Sequence, residues 1–141
     1  MKIGKVTMLI VLMSSGLIGS GALAESKPQP KIENLFQKAL ADEFTAGREV
    51  IVSLVEVPPN TTMERHWHPG EEFHYCLEGE TELVIDGQPT ILETLGKVSH
   101  VPYKKMHTVV TKKKGVKLLV FRVHTKGEPV RYLEKGGTAE K

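Results

Sequence analysis

From Arg48 onward, hydrophobic and polar residues alternate in short runs, which is the pattern of half-buried β-strands. The two longest runs are Glu49 to Val57 and Val116 to His124. Shorter runs lie at residues 63–68, 72–77, 81–85, 90–92, 98–101 and 107–111. Turn signals fall at Glu78-Gly79 and at Asp86-Gly87, and an Asp-Gly pair is typical of a two-residue hairpin. The pattern predicts an all-β sandwich or barrel rather than an α/β fold.

The residues before Arg48 follow a different pattern. Ser26 to Lys31 contains two prolines among polar residues and is predicted to be flexible. After it, apolar residues recur at helical spacing, at Ile32, Leu35, Phe36, Ala39 and Leu40. We therefore predict a leader over residues 25–47 with a short helix or turn that packs on the barrel. The barrel is expected over residues 48–133, and a flexible C-terminal tail over residues 134–141.

The first 24 residues have the composition of a secretory signal peptide. Lys2 and Lys5 give a positive start, residues 6–18 are largely apolar, and Ala22-Leu23-Ala24 is a small-residue cleavage site. An uncleaved membrane anchor needs about 18 or more apolar residues, and glycine and serine interrupt this run earlier. We predict a periplasmic or secreted protein with no stable membrane insertion after cleavage.

Cleavage also changes the charge of the chain. The whole sequence has a formal net charge of +2, and residues 1–24 contribute two lysines and no acidic residue, so the mature chain is neutral. Lys112, Lys113 and Lys114 then form a local charge run, which is expected to be a solvated loop rather than a nucleic-acid patch. Cys76 is the only cysteine, cannot form an intramolecular disulfide and is predicted to be buried.

Three histidines and one carboxylate are candidates for metal binding. His66 and His68 are two residues apart, so on a strand they face the same side. A Pro-Gly turn follows, and Glu72 begins the next strand, from which it can lean back towards them. His107 is too distant for local geometry and must be delivered by the fold. Imidazole and carboxylate groups together suit first-row divalent metals, although a histidine pair alone is more often structural.

The spacing of these residues is more specific than the residues themselves. One motif has His66, one residue, His68, three residues, Glu72, six residues and Gly79; the other has Gly96, five residues, Pro102, four residues and His107. The two motifs resemble the signature motifs of the cupin superfamily, and the likeness extends from about Arg48 to Tyr132. It implies a small double-stranded β-helix, or jelly-roll, barrel whose four metal ligands are His66, His68, Glu72 and His107.

Several positions depart from the family pattern without removing a ligand, among them Thr111 and the turn at Leu95-Gly96-Lys97. Asn60 and Lys104 each stand where the family usually has glycine. Asparagine tolerates a positive φ better than other residues that carry a side chain, so the change at Asn60 is mild.

Further candidates surround the proposed ligands. His74 shares the face of Glu72 and is a candidate to donate to a ligand or to act as an acid or base beside a substrate. A buried histidine satisfied by the backbone is the slightly preferred interpretation. Arg122 shares a face with Val120 and His124 and is a candidate to bind a carboxylate, but a surface position on an edge strand is preferred. Glu71 is expected not to be a ligand.

Three imidazoles and a carboxylate leave about two of six octahedral positions open for a small-molecule substrate or ligand. The metal is predicted to be one divalent transition metal ion, Mn, Fe, Ni or Zn. The resemblance implies a metal-dependent enzyme, of the dioxygenase or isomerase kind, acting on a small polar molecule. The alternative is a non-catalytic module that binds or senses a metal or small molecule in the same pocket. A homodimer through Phe73, Tyr75 and Leu77 is also expected, unless these residues lie under the leader.

Overall fold

The computed structural model describes residues 27–134, so the predicted signal peptide and residues 135–141 of the predicted tail lie outside it. Within this range the structure has nine strands and one helical turn. In chain order they are β1 (Lys31–Ala39), α1 (Asp42–Thr45), β2 (Arg48–Val57), β3 (His66–Trp67), β4 (Gly70–Ile85), β5 (Ile91–Thr94), β6 (Val98–Val101), β7 (His107–Val110), β8 (Val116–Thr125) and β9 (Tyr132–Leu133). None of the described helical segments is long and apolar enough to cross a membrane.

All the strands belong to one antiparallel sheet that curls into a half-barrel. The order across the sheet is β1-β2-β8-β4-β7-β3-β9, and β5 and β6 pair with β4 outside this path. The longest strand, β4, pairs with β8 and β6 along its first half and with β5 and β7 along its second half. The predicted all-β jelly-roll fold is confirmed.

A bulge in β4 joins the two halves of the barrel. The register against β8 shifts between Cys76 and Glu78, and Gly79 has φ of 76°. The predicted turn at Glu78-Gly79 is therefore wrong, because the strand continues through it to Ile85. A bulge with a glycine bends a strand and increases its twist without ending it. A Cβ on Gly79 would lie 1.9 Å from the Gly115 carbonyl oxygen, so the close approach of these two segments requires glycine.

The inner face of the barrel has an apolar end and a polar end. Strands β2 and β8 pair without a register shift from Arg48 opposite Thr125 to Val57 opposite Val116. Alternate residues along both strands are buried. The apolar end holds most of the core, which comprises Val55, Val57, Met63, Cys76, Leu83, Ile85, Val101, Val109, Val116, Leu118 and Val120. The other end buries Glu49, Ser53, Arg122 and His124, and this polar end adjoins the candidate metal ligands.

The N-terminal segment differs from the prediction. The expected helix over Ile32 to Leu40 is the edge strand β1, which pairs with β2, and only the single turn α1 follows it. Every residue of β1 is exposed, so its apolar spacing did not reflect burial on a helix face. The unpaired backbone edge of β2 offers hydrogen bonds that override the weak local preference. Ile32 is the cross-strand partner of Val55, and Asn34 is that of Ser53. Because Val55 and Ser53 are buried on the inner face, the side chains of Ile32 and Asn34 also face the inside.

The outer face of the sheet carries two apolar rows that run across the strands. One row consists of Phe36, Val52, Phe121 and Phe73, and the other of Leu54, Leu119, Tyr75 and Val98. Phe73 and Tyr75 are 37% and 42% exposed, so the described part of the leader does not cover them. We call these two rows the outer apolar face.

Replacing Gly79 should destabilise the fold more than replacing Gly87. Both residues have positive φ, which costs an alanine about 1–2 kcal/mol, but only Gly79 faces a backbone carbonyl. We expect Gly87→Ala to lower the free energy of unfolding by about 1 kcal/mol, and Gly79→Ala by at least about 3 kcal/mol. Urea denaturation of both variants measures this difference. Equal losses would show that the contact between β4 and the Gly115 loop does not constrain the barrel.

Candidate metal centre

Three buried histidines converge inside the barrel. His66 lies on β3 and is the cross-strand partner of His107 on β7, while His68 lies just after β3. The ring centroids of His66 and His107 are 4.4 Å apart, and those of His66 and His68 are 4.9 Å apart. One nitrogen from each of the three rings lies within 4.8 Å of the others, so the three side chains could hold one metal ion.

Backbone carbonyls fix the tautomer of all three rings. Nδ1 of His66 is 2.6 Å from the Glu64 carbonyl oxygen, and Nδ1 of His107 is 3.0 Å from that of Lys105. Nδ1 of His68 is 2.5 Å from the carbonyl oxygen of Val130. A carbonyl only accepts hydrogen bonds, so each Nδ1 must carry the proton and donate. Each neutral ring then has an unprotonated Nε2, which is the form that binds a metal.

The Glu72 carboxylate lies beside two of these Nε2 atoms. Its Oε2 is 2.9 Å from Nε2 of His68, and its Oε1 is 3.5 Å from Nε2 of His107. Despite this proximity, His68 Nε2 is buried and makes no hydrogen bond. Two acceptors that face each other at such a distance are stabilised by a cation, so the donor set fits a divalent metal. The assignment of Glu72 as a fourth ligand remains a prediction.

Burial keeps His66 and His68 neutral, and neighbouring cations keep Glu72 charged. Desolvation, with His107 and His68 nearby, lowers the pKa of His66 to about 2. Burial also lowers the pKa of His68. For Glu72, burial alone would raise the pKa, but Arg122 and the charged ring of His74 hold it well below its ordinary value. His66 and His68 therefore present neutral imidazoles, and Glu72 a carboxylate, as metal coordination requires.

His74 is held between two carboxylates. Its Nε2 is 2.5 Å from Glu72 Oε1, and its Nδ1 is 2.9 Å from Glu93 Oε1. Burial opposes a charge on the ring, but Glu72 and Glu93 together raise the pKa of His74 to about 9. Ser99 donates a hydrogen bond to the same Glu93 oxygen. The partners of His74 are thus side chains rather than the backbone, and both ring nitrogens are engaged; its role beside a substrate remains a prediction.

Arg122 is buried, which corrects the preferred expectation of a surface residue on an edge strand. Strand β8 lies between β2 and β4, so it is an interior strand, and Arg122 is only 5% exposed. Its Nε donates to Glu72 Oε2, and its Nη1 donates to Ser53 Oγ at 3.2 Å. Ser53 in turn donates to Asn34 Oδ1 at 2.7 Å. The sequence did contain a signal for this buried position. Alternation along the strand placed Arg122 on the same face as Val120 and His124.

A cavity of about 210 Å³ adjoins the three histidines. Its inner end is lined by His66, His68, His107, Glu72 and His74. Aliphatic side chains and Arg122 form its walls, and Ile32, Asn34, Val130 and Arg131 line the remainder. The candidate ligands are therefore accessible to a small molecule that enters the cavity.

Four other polar or aromatic residues lie away from this centre. Glu71 is half-exposed and its Oε2 is 2.5 Å from Nε2 of His100, on the outside of the barrel. His124 is fully buried, with Nδ1 2.8 Å from the Thr125 carbonyl oxygen. Cys76 is buried as a free thiol, as predicted. Tyr103 is an exposed loop residue. None of these four lines the cavity.

The fold is a jelly-roll barrel, and it buries three histidines that could hold one metal ion. These two features define the class of the protein as a small β-barrel with a candidate metal site. The chain belongs to the cupin family, because the sequence model of the Cupin domain matches residues 53–124, about half of the chain. This confirms the family resemblance of the two motifs. No curated protein matches the sequence.

Solved structures with the same fold include proteins of different activities. The DMSP lyase DddQ from Ruegeria pomeroyi DSS-3 has a TM-score of 0.58 at 24% identity, over 63% of this chain and 45% of that chain. The polyketide cyclase RemF from Streptomyces resistomycificus has a TM-score of 0.56 at 26% identity, over 77% of this chain and 75% of that chain. A Cupin 2 conserved barrel domain protein from Salinispora arenicola CNS-205 has a TM-score of 0.51 at 22% identity, over 66% of this chain and 74% of that chain.

These likenesses support the fold rather than a particular reaction. The chain spans less than half the length of the two DMSP lyases that it matches, so their activity does not transfer with the barrel.

Loss of one converging imidazole should abolish tight metal binding. We expect His107→Ala to weaken the affinity for Zn²⁺ or Mn²⁺ at least about 100-fold, because only two buried imidazoles remain. Glu71→Ala and His100→Ala are matched controls, since these residues pair with each other on the outside. Metal affinity is measured by titration against a chelator, with circular dichroism to check folding. Metal affinity in His107→Ala equal to that of the controls would refute the three-histidine site.

Proposed function

We propose that this protein is a metal-dependent enzyme that acts on a small polar molecule, with chemistry of the dioxygenase or isomerase kind. The observation that carries the proposal is the set of three buried imidazoles, each locked by a carbonyl on Nδ1, with a nitrogen of each ring within 4.8 Å of the others. The fold neighbours that carry enzyme names, a lyase and a cyclase, support catalysis on this barrel in general terms.

The residues of the chain have separable tasks in this proposal. His66, His68 and His107 would hold the ion, and Glu72 would complete the set. A bound Mn, Fe, Ni or Zn ion would supply Lewis acidity and orient a substrate. Arg122 and His74 each donate to one oxygen of Glu72, so they keep the carboxylate charged and aligned. The aliphatic walls of the cavity limit water around a bound molecule.

A non-catalytic binding or sensing module is the second candidate. Both nitrogens of His74 are engaged by carboxylates, and Arg122 is engaged by Glu72 and Ser53. The described cavity lining therefore shows few uncommitted groups that could transfer a proton to or from a substrate. Such an arrangement suits a site that binds a ligand without changing it.

Turnover distinguishes the two candidates. The mature protein, loaded with Fe²⁺ or Mn²⁺, is screened against small acids, phenolics and sugars for oxygen uptake and for product by mass spectrometry. We expect turnover of at least one compound that His107→Ala lacks and that the surface control His100→Ala retains. A compound that raises the melting temperature but is recovered unchanged with every metal would favour the binding module and count against the enzyme.

We also propose that two copies of the chain pair through the outer apolar face. The centre of this face has no charged residue, and two pairs of charges at its borders, Glu71 with His100 and Glu56 with Lys117, are paired within the chain. A second copy offers an apolar surface of the same shape.

The double variant Phe73→Glu, Phe121→Glu should halve the mass measured by light scattering, whereas Leu92→Glu, an exposed apolar position on β5, should not. A wild-type monomer would contradict the dimer.

Export remains part of the proposal, with the periplasm or the external medium as the location. It rests on the sequence of residues 1–24, which lie outside the described structure. The intact mass of protein recovered from that compartment should correspond to a chain that begins at Glu25, and an uncleaved mass would contradict the signal peptide.

A further inference from the structure

A tight turn over residues 102–105 contacts two of the candidate metal ligands. The amide of Lys104 donates to the carbonyl oxygen of His68 at 3.2 Å. The carbonyl oxygen of Lys105 accepts from Nδ1 of His107 at 3.0 Å. The turn is closed by the amide of Lys105, which donates to the carbonyl oxygen of Pro102 at 3.0 Å. The conformation of the 102–105 turn therefore affects how His68 and His107 lie relative to each other; their ring centroids are 5.3 Å apart.

The 102–105 turn requires a backbone conformation that lysine rarely adopts. Lys104 has φ of 56°, and a positive φ at the third residue of such a turn favours glycine. Among the residues that the structure describes, the one other non-glycine residue with a positive φ is Asn60. The short side chain of asparagine can hydrogen-bond locally in this conformation, whereas that of lysine has no such local partner. The turn is therefore strained at Lys104 unless another contact of this residue offsets the cost.

The ammonium group of Lys104 makes that contact. Its Nζ lies 5.7 Å from the centroid of the Trp67 ring and 5.1 Å from that of the Tyr103 ring, which is the range of a cation–π interaction. Trp67 stands between His66 and His68 in the chain. The side chain of Lys104 thus fastens the 102–105 turn to the segment that carries these two histidines.

The ring of Trp67 is itself held in place from another strand. Trp67 belongs to β3, and its ring stacks on that of Tyr132 on β9, with centroids 4.4 Å apart and an angle of 10° between the planes. The hydroxyl of Tyr132 in turn donates to the carboxylate of Glu128. Because the ring is fixed on β3, the ammonium group that lies on it also fixes the turn.

We propose that Lys104 is a positioning residue for the metal centre, an inference that rests on the proposed metal-dependent function. Its ammonium group, held on the rings of Trp67 and Tyr103, keeps the 102–105 turn closed before a metal binds. The closed turn already holds His68 and His107 in the arrangement that one ion needs. Less free energy is then lost in ordering the ligands when the ion binds.

Substitutions of Lys104 separate its charge from its backbone conformation. Lys104→Met and Lys104→Gln keep the strained φ but remove the ammonium group, so the Co²⁺ affinity of the mature protein should fall about threefold to tenfold. Lys104→Arg keeps a cation that can lie on the same rings, and Lys104→Gly removes the strain, so both should retain the wild-type affinity. Lys113→Met removes a charge from an exposed loop and is the matched control. Competition with a chelator measures the affinity, and circular dichroism checks the fold.

Two spectroscopic readouts report on the site rather than on folding. Trp67 is the only tryptophan of the chain, so its fluorescence in the metal-free protein reports whether the ammonium group lies on its ring. Lys104→Met and Lys104→Gly should both change this emission, although only Lys104→Met should lose Co²⁺ affinity, and Lys113→Met should change neither. The visible spectrum of bound Co²⁺ should differ from that of the wild type in Lys104→Met and match it in Lys104→Arg.

The results also separate this inference from the proposed function. Wild-type Co²⁺ affinity and spectrum in Lys104→Met would overturn the positioning role and leave the metal site standing. A loss in Lys104→Arg as large as that in Lys104→Met would do the same, because the cation would not be what matters. An equal loss in Lys104→Gly would also contradict the inference, since a relaxed turn should not need the ammonium group. A wild-type protein that binds neither Co²⁺ nor any other divalent metal contradicts the proposed function itself.

Discussion

The inner face of the barrel is organised around one buried negative charge, the carboxylate of Glu72. Burial of a lone carboxylate is expensive, and here Arg122 and His74 each donate to one of its two oxygens. Removal of one partner from a buried pair of this kind costs about 3–5 kcal/mol, because the other charge is left uncompensated. The strands that carry these residues, β4 and β8, must therefore keep their register, and that register also sets the walls of the cavity.

The network around Glu72 extends in two directions. Through Arg122 and Ser53 it reaches Asn34 on the edge strand β1, and through His74 it reaches Glu93 and Ser99. The first branch ties the strand at the sheet edge to the interior of the barrel. A polar network in which the members are paired specifies one arrangement more strictly than apolar packing does. The Asn34 side chain of β1, a strand that the core hardly touches, is thus linked to a charge that lies three strands away.

Local alternation was enough to predict most strands and the face on which His66, His68 and Glu72 lie, because one side of each strand is buried. The motif spacing was enough to predict the family, and with it the delivery of His107. Sequence reasoning failed where burial does not follow polarity: on β5 the apolar Leu92 is exposed and Glu93 is buried, and on β1 no residue is buried. Arg122 was on the correct face, but its partner is 50 residues away and has no local signal.

The three carbonyls that hold the histidines come from very different positions in the chain. Those for His66 and His107 are two residues away, but the carbonyl for His68 belongs to Val130, 62 residues downstream. His68 can acquire its correct tautomer only after the segment that leads into β9 has closed against β3. The histidine cluster is thus complete only when two segments far apart in the sequence have met, and a chain in which β9 has not paired with β3 would lack the carbonyl that holds His68.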